Sequence, residues 1–183
     1  RRQRQMCIRD RREYSPSELQ DYIYGSAEAI GLLCLQIFLA EEDVSPADRA
    51  AMERGARALG SAFQKINFLR DLGEDSSTLG RTYFQQAPSG RIDEATKSAL
   101  IAEIRQELAT AALTIDVLPA SARVGVSAAA DIFAELTNRL AATPATALAT
   151  TRVSVPNHTK AWLAARAVRR RGHSNQTPPL AGD

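Results

Sequence analysis

The sequence predicts an all-α fold in which long helices surround one apolar core. Apolar residues make up 44% of the 183 residues, glycine contributes only 10, and alanine is spread through long segments, a composition that favours helix over strand. Apolar residues also recur at the spacing of one helix face, as Ala62, Ile66 and Leu69 do. Together these observations indicate a helical domain with a sizeable core.

Boundary signals divide the chain into five helices. Ser15-Pro16 and Ser45-Pro46 each place an N-cap serine before a proline in the first helical turn, with an acid two residues after the proline. Glycines and prolines between residues 76 and 90 favour a loop, and Pro119 ends the third helix. Two further prolines bracket a short irregular segment before the last helix. The predicted helices cover residues 15–40, 45–75, 93–118, 121–141 and 160–171.

The domain is expected to span residues 15–171. Residues 1–14 are an N-terminal edge that is expected to be artefactual, since Met6 to Arg11 resembles translated adapter sequence from assembled sequencing reads. Residues 172–183 are polar and rich in proline, which predicts a disordered tail.

Composition limits the partners and the cellular location that are expected for the protein. The net charge of +2 is too small to indicate nucleic-acid binding, and the longest apolar stretch, Ala29–Ala40, is too short to span a bilayer. The two cysteines provide neither a disulfide framework nor a metal-binding spacing, and Cys34 inside the apolar stretch is expected to be buried. These features predict a cytoplasmic, reducing location, and they carry no signal for an oligomeric state.

The most informative segment is a polar line near the end of the second predicted helix. At about 100° per residue, the side chains of Gln64, Asn67, Asp71 and Asp75 fall within roughly a quarter of the helix circumference. A solvated helix face usually mixes Lys, Arg, Glu and Gln, as residues 103–107 do, whereas here two amides precede two aspartates. An isolated pair of acids at this spacing is most often a surface feature, so the prediction of a functional site depends on the residues around the two aspartates.

Two aspartates one turn apart suit a site for a metal and a diphosphate. Mg²⁺ prefers oxygen ligands and is typically held by one or two carboxylates together with substrate phosphates. Acids alone would repel a phosphate, whereas metal ions bridge the two and neutralise a departing pyrophosphate. Arg70, Arg81 or Lys65 then remain to bind the other phosphate oxygens. The implied chemistry is the ionisation of an allylic or similar diphosphate.

Three blocks of sequence resemble the squalene and phytoene synthases, in particular the bacterial phytoene synthases. Residues 22–31 are similar to the family helix that lines the prenyl-chain tunnel, and residues 129–136 and 152–160 look like the closing helix and the tail segment. The most specific block is similar to the family's second aspartate-rich motif and the signature after it. It reads Gln64-x-x-Asn67-x-x-Arg70-Asp71-x-x-x-Asp75, followed by Gly80-Arg81-x-Tyr83.

The resemblance implies an isoprenoid-synthase helical bundle and a head-to-head prenyl transferase that condenses two geranylgeranyl diphosphates to phytoene in carotenoid biosynthesis. Mg²⁺ is the implied cofactor, with Mn²⁺ as an alternative, and NADPH is not expected. The implied metal ligands are Asp71, Asp75 and Asn67, and the implied catalytic set adds Arg70 and Tyr83. The implied substrate contacts are Tyr22, Ser26, Ile30, Phe63, Gln64, Asn67, Arg81 and Phe133.

The sequence departs from the family pattern in one important respect. Family members carry two aspartate-rich motifs on facing helices, and only the second is present in this sequence. The chain also starts without Met and is shorter than a complete family member, so it is expected to be the C-terminal portion of one, with the N-terminal helices missing. Such a portion is predicted to be inactive alone because it holds half of the metal clamp.

Two alternatives for the function stay open. The first is squalene or dehydrosqualene synthesis from two farnesyl diphosphates, which differs from phytoene synthesis in tunnel depth. True squalene synthase uses NADPH and commonly ends in a membrane helix, so the polar tail of this chain favours phytoene synthesis. The other alternative is a catalytically silent scaffold protein, which is expected to have lost the acids or the amide pair. The small residues of segment 25–31 likewise either line a tunnel or merely permit close helix packing.

The last predicted helix is basic. Lys160, Arg166 and residues 169–171, together with Trp162, suit peripheral contact with an anionic membrane surface, on the inner face of the membrane. A solvated basic helix end is an equal interpretation, since cations are favoured at the C-terminus of a helix.

Overall fold

The all-α class is confirmed by the structure. The computed structural model describes residues 15–72 and 92–174, and every regular element in these two ranges is helical. None of the helices in these ranges is both long enough and apolar enough to cross a membrane. The elements are α1 (Pro16–Ile23), a π-helical segment (Tyr24–Glu28), α2 (Ala29–Phe38), α3 (Pro46–Arg70), α4 (Glu94–Ile115), α5 (Ala120–Ala142), α6 (Ala145–Leu148) and α7 (Asn157–Ser174).

Several elements differ from their predicted form. The first predicted helix is divided by the π-helical segment, within which Ser26 Oγ donates to the carbonyl oxygen of Tyr22 at 2.6 Å and occupies an acceptor of the regular ladder. The short helix α6 replaces the predicted irregular segment after Pro144, and α7 extends to Ser174. The expectations for residues 1–14, 76–90 and 175–183 lie outside the described residues.

The predicted helix starts are built from capping interactions. Ser15 Oγ accepts a hydrogen bond from the backbone N–H of Glu18 at 3.3 Å, and the Glu18 carboxylate accepts one in return from the backbone N–H of Ser15 at 3.0 Å. Ser45 Oγ accepts from the backbone N–H of Asp48 at 3.1 Å. Each cap satisfies donors that have no partner inside the helix and contributes about 1 kcal/mol.

Helix α3 is the centre of the bundle. It contacts α1, the π-helical segment, α2, α4 and α5, and its largest contact is with α4. Its apolar stripe supplies Ala62, Ile66 and Leu69, which are all 0% exposed and share one core cluster with Ile104 of α4 and Leu140 of α5. The predicted apolar side of this helix is therefore confirmed, and its polar side is available for a site.

Glycines allow α3 to lie close to the helical segments before it. A Cβ added to Gly60 would be 2.6 Å from the carbonyl oxygen of Ala27, and one added to Gly31 would be 2.6 Å from that of Ala56. Both distances are well below van der Waals contact, and each neighbour is backbone that cannot rotate away. Close helix packing therefore explains these two glycines.

The substitution Gly60→Ala is expected to lower the free energy of unfolding by about 2 kcal/mol, because the backbones of α3 and the π-helical segment must separate. The clash outweighs the gain in helix propensity of about 1 kcal/mol. Gly125→Ala is the matched control, since a Cβ there meets nothing within 4 Å and propensity alone should stabilise the protein. Urea unfolding measures both; equal stabilisation by the two substitutions would contradict the packing explanation.

A buried lysine joins the start of α4 to the end of α5. The Lys97 side chain is 2% exposed, and its Nζ lies 2.5 Å from Glu94 Oε1 and donates to the carbonyl oxygen of Thr143 at 2.6 Å. Glu94 Oε2 also accepts from the backbone N–H of Ala145 at 2.9 Å. The hydrogen bond from Lys97, followed by that from Ala145, lowers the pKa of Glu94 below its ordinary 4.5.

This arrangement predicts a stability difference that depends on pH. Because the pKa of Glu94 is lower in the folded chain, its contribution to stability is present above pH 4.5 and is lost as the pH falls through the folded-state pKa. Glu94→Gln should therefore destabilise the protein at neutral pH, with a penalty that shrinks in acid. Urea midpoints at several pH values test this, with the exposed Glu41→Gln as the control. A penalty of constant size across this range would show that the charge of Glu94 is not involved.

Candidate active site

The polar side of α3 ends at Asp71, which is the C-cap residue of the helix. Asp71 has φ of −99° and ψ of 9°, and its backbone N–H donates to the carbonyl oxygen of Asn67 at 2.9 Å. The sequence predicted that the helix continues to about Asp75, but α3 ends at Arg70. The Asp71 carboxylate thus lies at the negative end of the helix dipole, where a positive partner is favoured.

Two arginines supply that positive charge. Arg70 donates to the Asp71 carboxylate from Nε at 2.8 Å and from Nη2 at 2.5 Å, which makes a bidentate pair. Arg152, from the segment between α6 and α7, places its Nε 3.3 Å from Asp71 Oδ1. From the sequence, Arg152 was predicted only to lie in a tail segment, because nothing in its spacing indicates that the fold returns it to α3.

The amides of Asn67 and Gln64 lie one turn and two turns, respectively, before Asp71 on the same side of α3. Both side chains are half-buried, and neither amide hydrogen-bonds within the part of the chain that the structure describes. Their oxygens and the Asp71 carboxylate form a set of oxygen donors, the type that Mg²⁺ prefers. No group of three His, Cys, Asp or Glu side chains suitable for a metal occurs among the described residues, and Asp75, the second predicted aspartate ligand, lies outside them.

The other residues predicted for this site lie outside the described ranges. They are Asp75, Arg81 and Tyr83. Their assignments to the metal, the phosphate and site closure stay predictions. The described portion of the motif consists of Gln64, Asn67, Arg70 and Asp71. The side-chain oxygens of Gln64, Asn67 and Asp71 fit an oxygen-coordinated cation if the arginines now paired with Asp71 bind a phosphate instead.

An apolar cavity of about 550 Å³ runs along residues 52–63 of α3, and Gln64, the first residue of the polar line, comes next on the helix. Its walls come from the π-helical segment and from α2 to α5, and most of the lining side chains are small or aliphatic. Ser26, Ile30 and Phe63, three of the predicted substrate contacts, line the cavity, whereas Tyr22 and Phe133 lie outside its wall. The volume is in the range of small-molecule sites, which is roughly 300–1,000 Å³.

One aromatic pair supports the wall of the cavity at Phe63, and a second pair lies outside the cavity. Phe133 of α5 stacks on Phe63 with ring centroids 3.8 Å apart and an interplanar angle of 18°. Phe133 therefore positions the wall residue Phe63 from behind. Tyr22 packs near Phe68, at 5.9 Å between ring centroids, and belongs to a separate apolar cluster with Ile23.

Cys34 lines the cavity and is exposed, so the prediction of a buried thiol is wrong. The apolar run that contains it forms α2, where Ile30, Leu33 and Ile37 are 53%, 57% and 66% exposed. An apolar run indicates a helix with apolar sides, but it does not distinguish a side buried in the core from one that lines an open cavity.

Lys65 does not belong to the site, and its predicted use as a phosphate ligand is wrong. Its side chain is 6% exposed and its Nζ lies 2.5 Å from Glu103 Oε1 and 2.6 Å from Glu107 Oε1, both on α4. Burial alone would lower the pKa of Lys65, but hydrogen bonds to the two carboxylates outweigh it and raise the pKa above 10.5. The α4 acids, interpreted from sequence as a solvated face, are thus partners of a buried cation.

Glu107 is the more buried of the two acids. Burial raises the pKa of its carboxyl above 4.5, although Lys65 and Ser61 both donate to its Oε1. Its Oε2 is buried without a hydrogen-bond partner in the described part of the chain. This network joins α3 to α4 on a side of α3 that differs from the side of Gln64 and Asn67, so it stabilises the helix that carries the site.

Comparison with known proteins identifies the family of the chain. A sequence model of the family described as squalene/phytoene synthase matches residues 2–159, which is most of the chain. The chain belongs to the squalene/phytoene synthase family. The resemblance inferred from residues 64–83 and 22–31 is thereby confirmed.

Three curated proteins show how the chain relates to other members of the squalene/phytoene synthase family. Phytoene synthase 3, chloroplastic, of Zea mays is 42% identical over 84 residues, or 44% of this chain and 18% of that protein. 4,4'-Diapophytoene synthase of Staphylococcus haemolyticus is 42% identical over 69 residues, or 38% of this chain and 22% of that protein.

The bifunctional lycopene cyclase/phytoene synthase of Blakeslea trispora is 28% identical over 136 residues, or 65% of this chain and 22% of that protein. The chain spans about a fifth of the length of the curated relatives that it matches, with shares of 18% to 22%. The similarity therefore concerns one part of these proteins.

Proposed function

We propose that the chain carries part of a head-to-head prenyl transferase that condenses two geranylgeranyl diphosphates to phytoene, through a cyclopropyl diphosphate intermediate and with release of two pyrophosphates. Family membership supports a prenyl transferase-type enzyme. The name of the Zea mays relative, phytoene synthase, supports the longer substrate.

One observation carries the proposal. On α3, residues 52–63 line an apolar cavity of about 550 Å³, and the same helix continues to its C-cap residue Asp71, whose carboxylate pairs with Arg70 and Arg152. A prenyl diphosphate has the matching division between a charged head and an apolar tail. The tail removes apolar surface from water at about 25 cal/mol per Å², while the head meets positive charge.

Each described residue then has a role in binding. Asp71, Asn67 and Gln64 would hold Mg²⁺, or Mn²⁺ in its place, and the bound metal would neutralise the charge that develops on departing pyrophosphate. Arg70 and Arg152 would turn from Asp71 to phosphate oxygens, which they can bind bidentately. Phe63, held by the stack with Phe133, would present an aromatic wall near the cationic carbon and exclude water. No NADPH is required for this reaction.

Binding of an unreactive analogue tests the proposal. Geranylgeranyl S-thiolodiphosphate should bind the 183-residue chain in isothermal titration calorimetry when Mg²⁺ is present, with affinity at least about tenfold weaker in EDTA. Geranylgeraniol, which lacks the diphosphate, is the matched ligand control. Absence of Mg²⁺-dependent binding would contradict the proposed site.

The second candidate is condensation of two farnesyl diphosphates. It is favoured by the similarity to 4,4'-diapophytoene synthase, at 42% identity over 69 residues. The farnesyl thiolodiphosphate measured in the same titration separates the two candidates, because a cavity that accommodates the longer tail gains from burying one more isoprene unit. Tighter binding of the farnesyl analogue would favour the second candidate.

The isolated chain is expected to be inactive. Its sequence contains one aspartate-rich motif, whereas the proposed reaction is expected to need two acidic clusters around two diphosphates. Incubation with Mg²⁺ and radiolabelled geranylgeranyl diphosphate, followed by chromatography, should return unreacted substrate. Phytoene above the level of a heat-denatured sample would refute this expectation.

A further inference from the structure

Four residues of α7 enclose a shallow recess of about 390 Å³ on the surface of the bundle. They are Trp162, Arg166, Arg169 and Arg170. At about 100° per residue, their side chains leave the helix within roughly 100° of one another, so they form one continuous stripe. The volume falls in the range of small-molecule sites, which is roughly 300–1,000 Å³.

The recess belongs to the folded domain because α7 is fixed to α5. Leu163 and Ala167 are 5% and 2% exposed, and α7 packs against α5. Arg166 Nη2 lies 3.1 Å from Oδ2 of Asp131 on α5, and Arg170 pairs with the same oxygen. Two of the four side chains that line the recess are therefore held in place from a second helix.

The charges in the recess do not balance. Three guanidinium groups stand against the one carboxylate of Asp131, which leaves a net charge of +2, and α7 itself contains no Asp or Glu. Arg169 forms no ion pair within the described residues. Like charges three or four residues apart on a helix repel each other. A ligand with two or more negative charges would remove this repulsion.

Trp162 adds an aromatic surface to the cationic recess. The guanidinium of Arg166 lies over the indole ring, 5.0 Å from its centroid, yet the residue is 54% exposed. Planar bases stack on exposed aromatic side chains, and arginine side chains bind phosphate oxygens bidentately. The recess therefore combines the two groups that recognise the two halves of a nucleotide.

We propose that the recess on α7 is a binding site for a free nucleoside diphosphate or triphosphate. The base stacks on Trp162, and the phosphates bind Arg169 and Arg170, in competition with Asp131 for the latter. The aromatic ring favours a nucleotide over inorganic phosphate or pyrophosphate. A charge excess of +2 confined to one recess suits a single small ligand. The site lies on a different helix from Asp71 and does not depend on the proposed prenyl transfer.

Calorimetry with the 183-residue chain and adenosine diphosphate, in EDTA, tests the proposal. Adenosine diphosphate should bind at least about threefold more tightly than pyrophosphate, which has no base, and at least about tenfold more tightly than adenosine, which has no phosphate. Equal affinity for pyrophosphate would mean that phosphate alone is recognised, whatever molecule carries it. That result, or no binding of adenosine diphosphate, would overturn the proposal.

Charge variants locate the site. Arg169→Gln should weaken binding of adenosine diphosphate about tenfold, because it removes a charge-assisted contact to phosphate. Arg54→Gln removes the same charge from an exposed position on α3 and should leave the affinity within about twofold. Circular dichroism verifies that both variants are folded. An equal loss in the two would mean that overall charge attracts the nucleotide, which would overturn the assignment.

Two further variants test the base and the competing carboxylate. Trp162→Leu should weaken binding of adenosine diphosphate at least about threefold and leave that of pyrophosphate unchanged, since only the stacking partner is lost. Asp131→Asn should tighten binding at least about threefold, because it removes the anion that pairs with Arg166 and Arg170. A folded Trp162→Leu variant that loses both ligands equally, or weaker binding by folded Asp131→Asn, would contradict the site.

A last control separates this recess from the polar end of α3, where Arg152 pairs with Asp71. Arg152→Gln should leave the affinity for adenosine diphosphate within about twofold, since its side chain is not part of the recess. Loss of binding in this variant would place the nucleotide at the polar end of α3 and overturn the assignment to α7.

Discussion

Asp71→Asn is expected to remove the Mg²⁺ dependence of prenyl diphosphate binding. The carboxylate is the one acidic oxygen donor beside the Gln64 and Asn67 amides within the described residues, and an amide in its place is a far weaker ligand for Mg²⁺. The substitution also removes one anionic partner of Arg70 and of Arg152. Affinity with Mg²⁺ should therefore fall about 10- to 100-fold, the equivalent of roughly 1.4–2.7 kcal/mol, while affinity in EDTA should stay equal or rise.

Calorimetry with geranylgeranyl S-thiolodiphosphate, in Mg²⁺ and in EDTA, measures this effect. Asp116→Asn, an exposed change at the C-cap of α4, is the matched control because it removes the same charge at the same position of another helix. Arg152→Gln should weaken binding in both solutions, since it removes a phosphate contact and not a metal ligand. If Asp71→Asn weakens binding equally with and without Mg²⁺, Asp71 supports the fold and holds no metal.

Lys65→Met is expected to lower the free energy of unfolding by about 3 kcal/mol. The substitution leaves the carboxylates of Glu103 and Glu107 close together without a cation, and removal of one partner of a buried ion pair typically costs about 3–5 kcal/mol. The lower end of the range applies because Glu103 is 56% exposed and its charge is screened by water.

A second variant separates loss of the charge pair from loss of packing. Lys65→Met/Glu107→Gln removes both charges of the buried pair and should recover more than half of the lost stability, since the uncompensated carboxylate is gone. Arg54→Met, at an exposed position of the same helix, should stay within about 0.5 kcal/mol of the parent. Urea unfolding at neutral pH measures all three. A double variant less stable than Lys65→Met would show that packing around Glu107, and not charge, holds α3 to α4.

Most of the fold could be predicted because its signals are local. The serine caps of α1 and α3 act within four residues, and the apolar stripe of α3 follows from a period of 3.6, so both are visible in the sequence. The π-helical segment (Tyr24–Glu28) was missed because neither its backbone hydrogen bonding nor the hydrogen bond from Ser26 Oγ to the carbonyl oxygen of Tyr22 has a compositional signal. Helix α6 is four residues long, too short for periodicity to show.

The site could be predicted only as far as one helix extends. Spacing along α3 placed Gln64, Asn67 and Asp71 on one side, and the structure has them there. The same spacing could not show that α3 ends at Arg70, since the motif reads as helical on both sides of that residue. Lys65 was predicted as a possible phosphate ligand because the acids that bind it lie on another helix and cannot be identified from the spacing along α3.

The order of residues along the chain determines the helical class, the caps, the apolar stripe and the family, because each depends on neighbours within a few turns or on a motif read directly. Folding was required to bring Arg152 to Asp71, to pair Lys65 with Glu103 and Glu107, and to leave an open cavity beside α2. Those features depend on which helices pack together and at what distance. Such distances follow from the shapes of side chains on separate helices, as the approach of Gly60 to Ala27 shows.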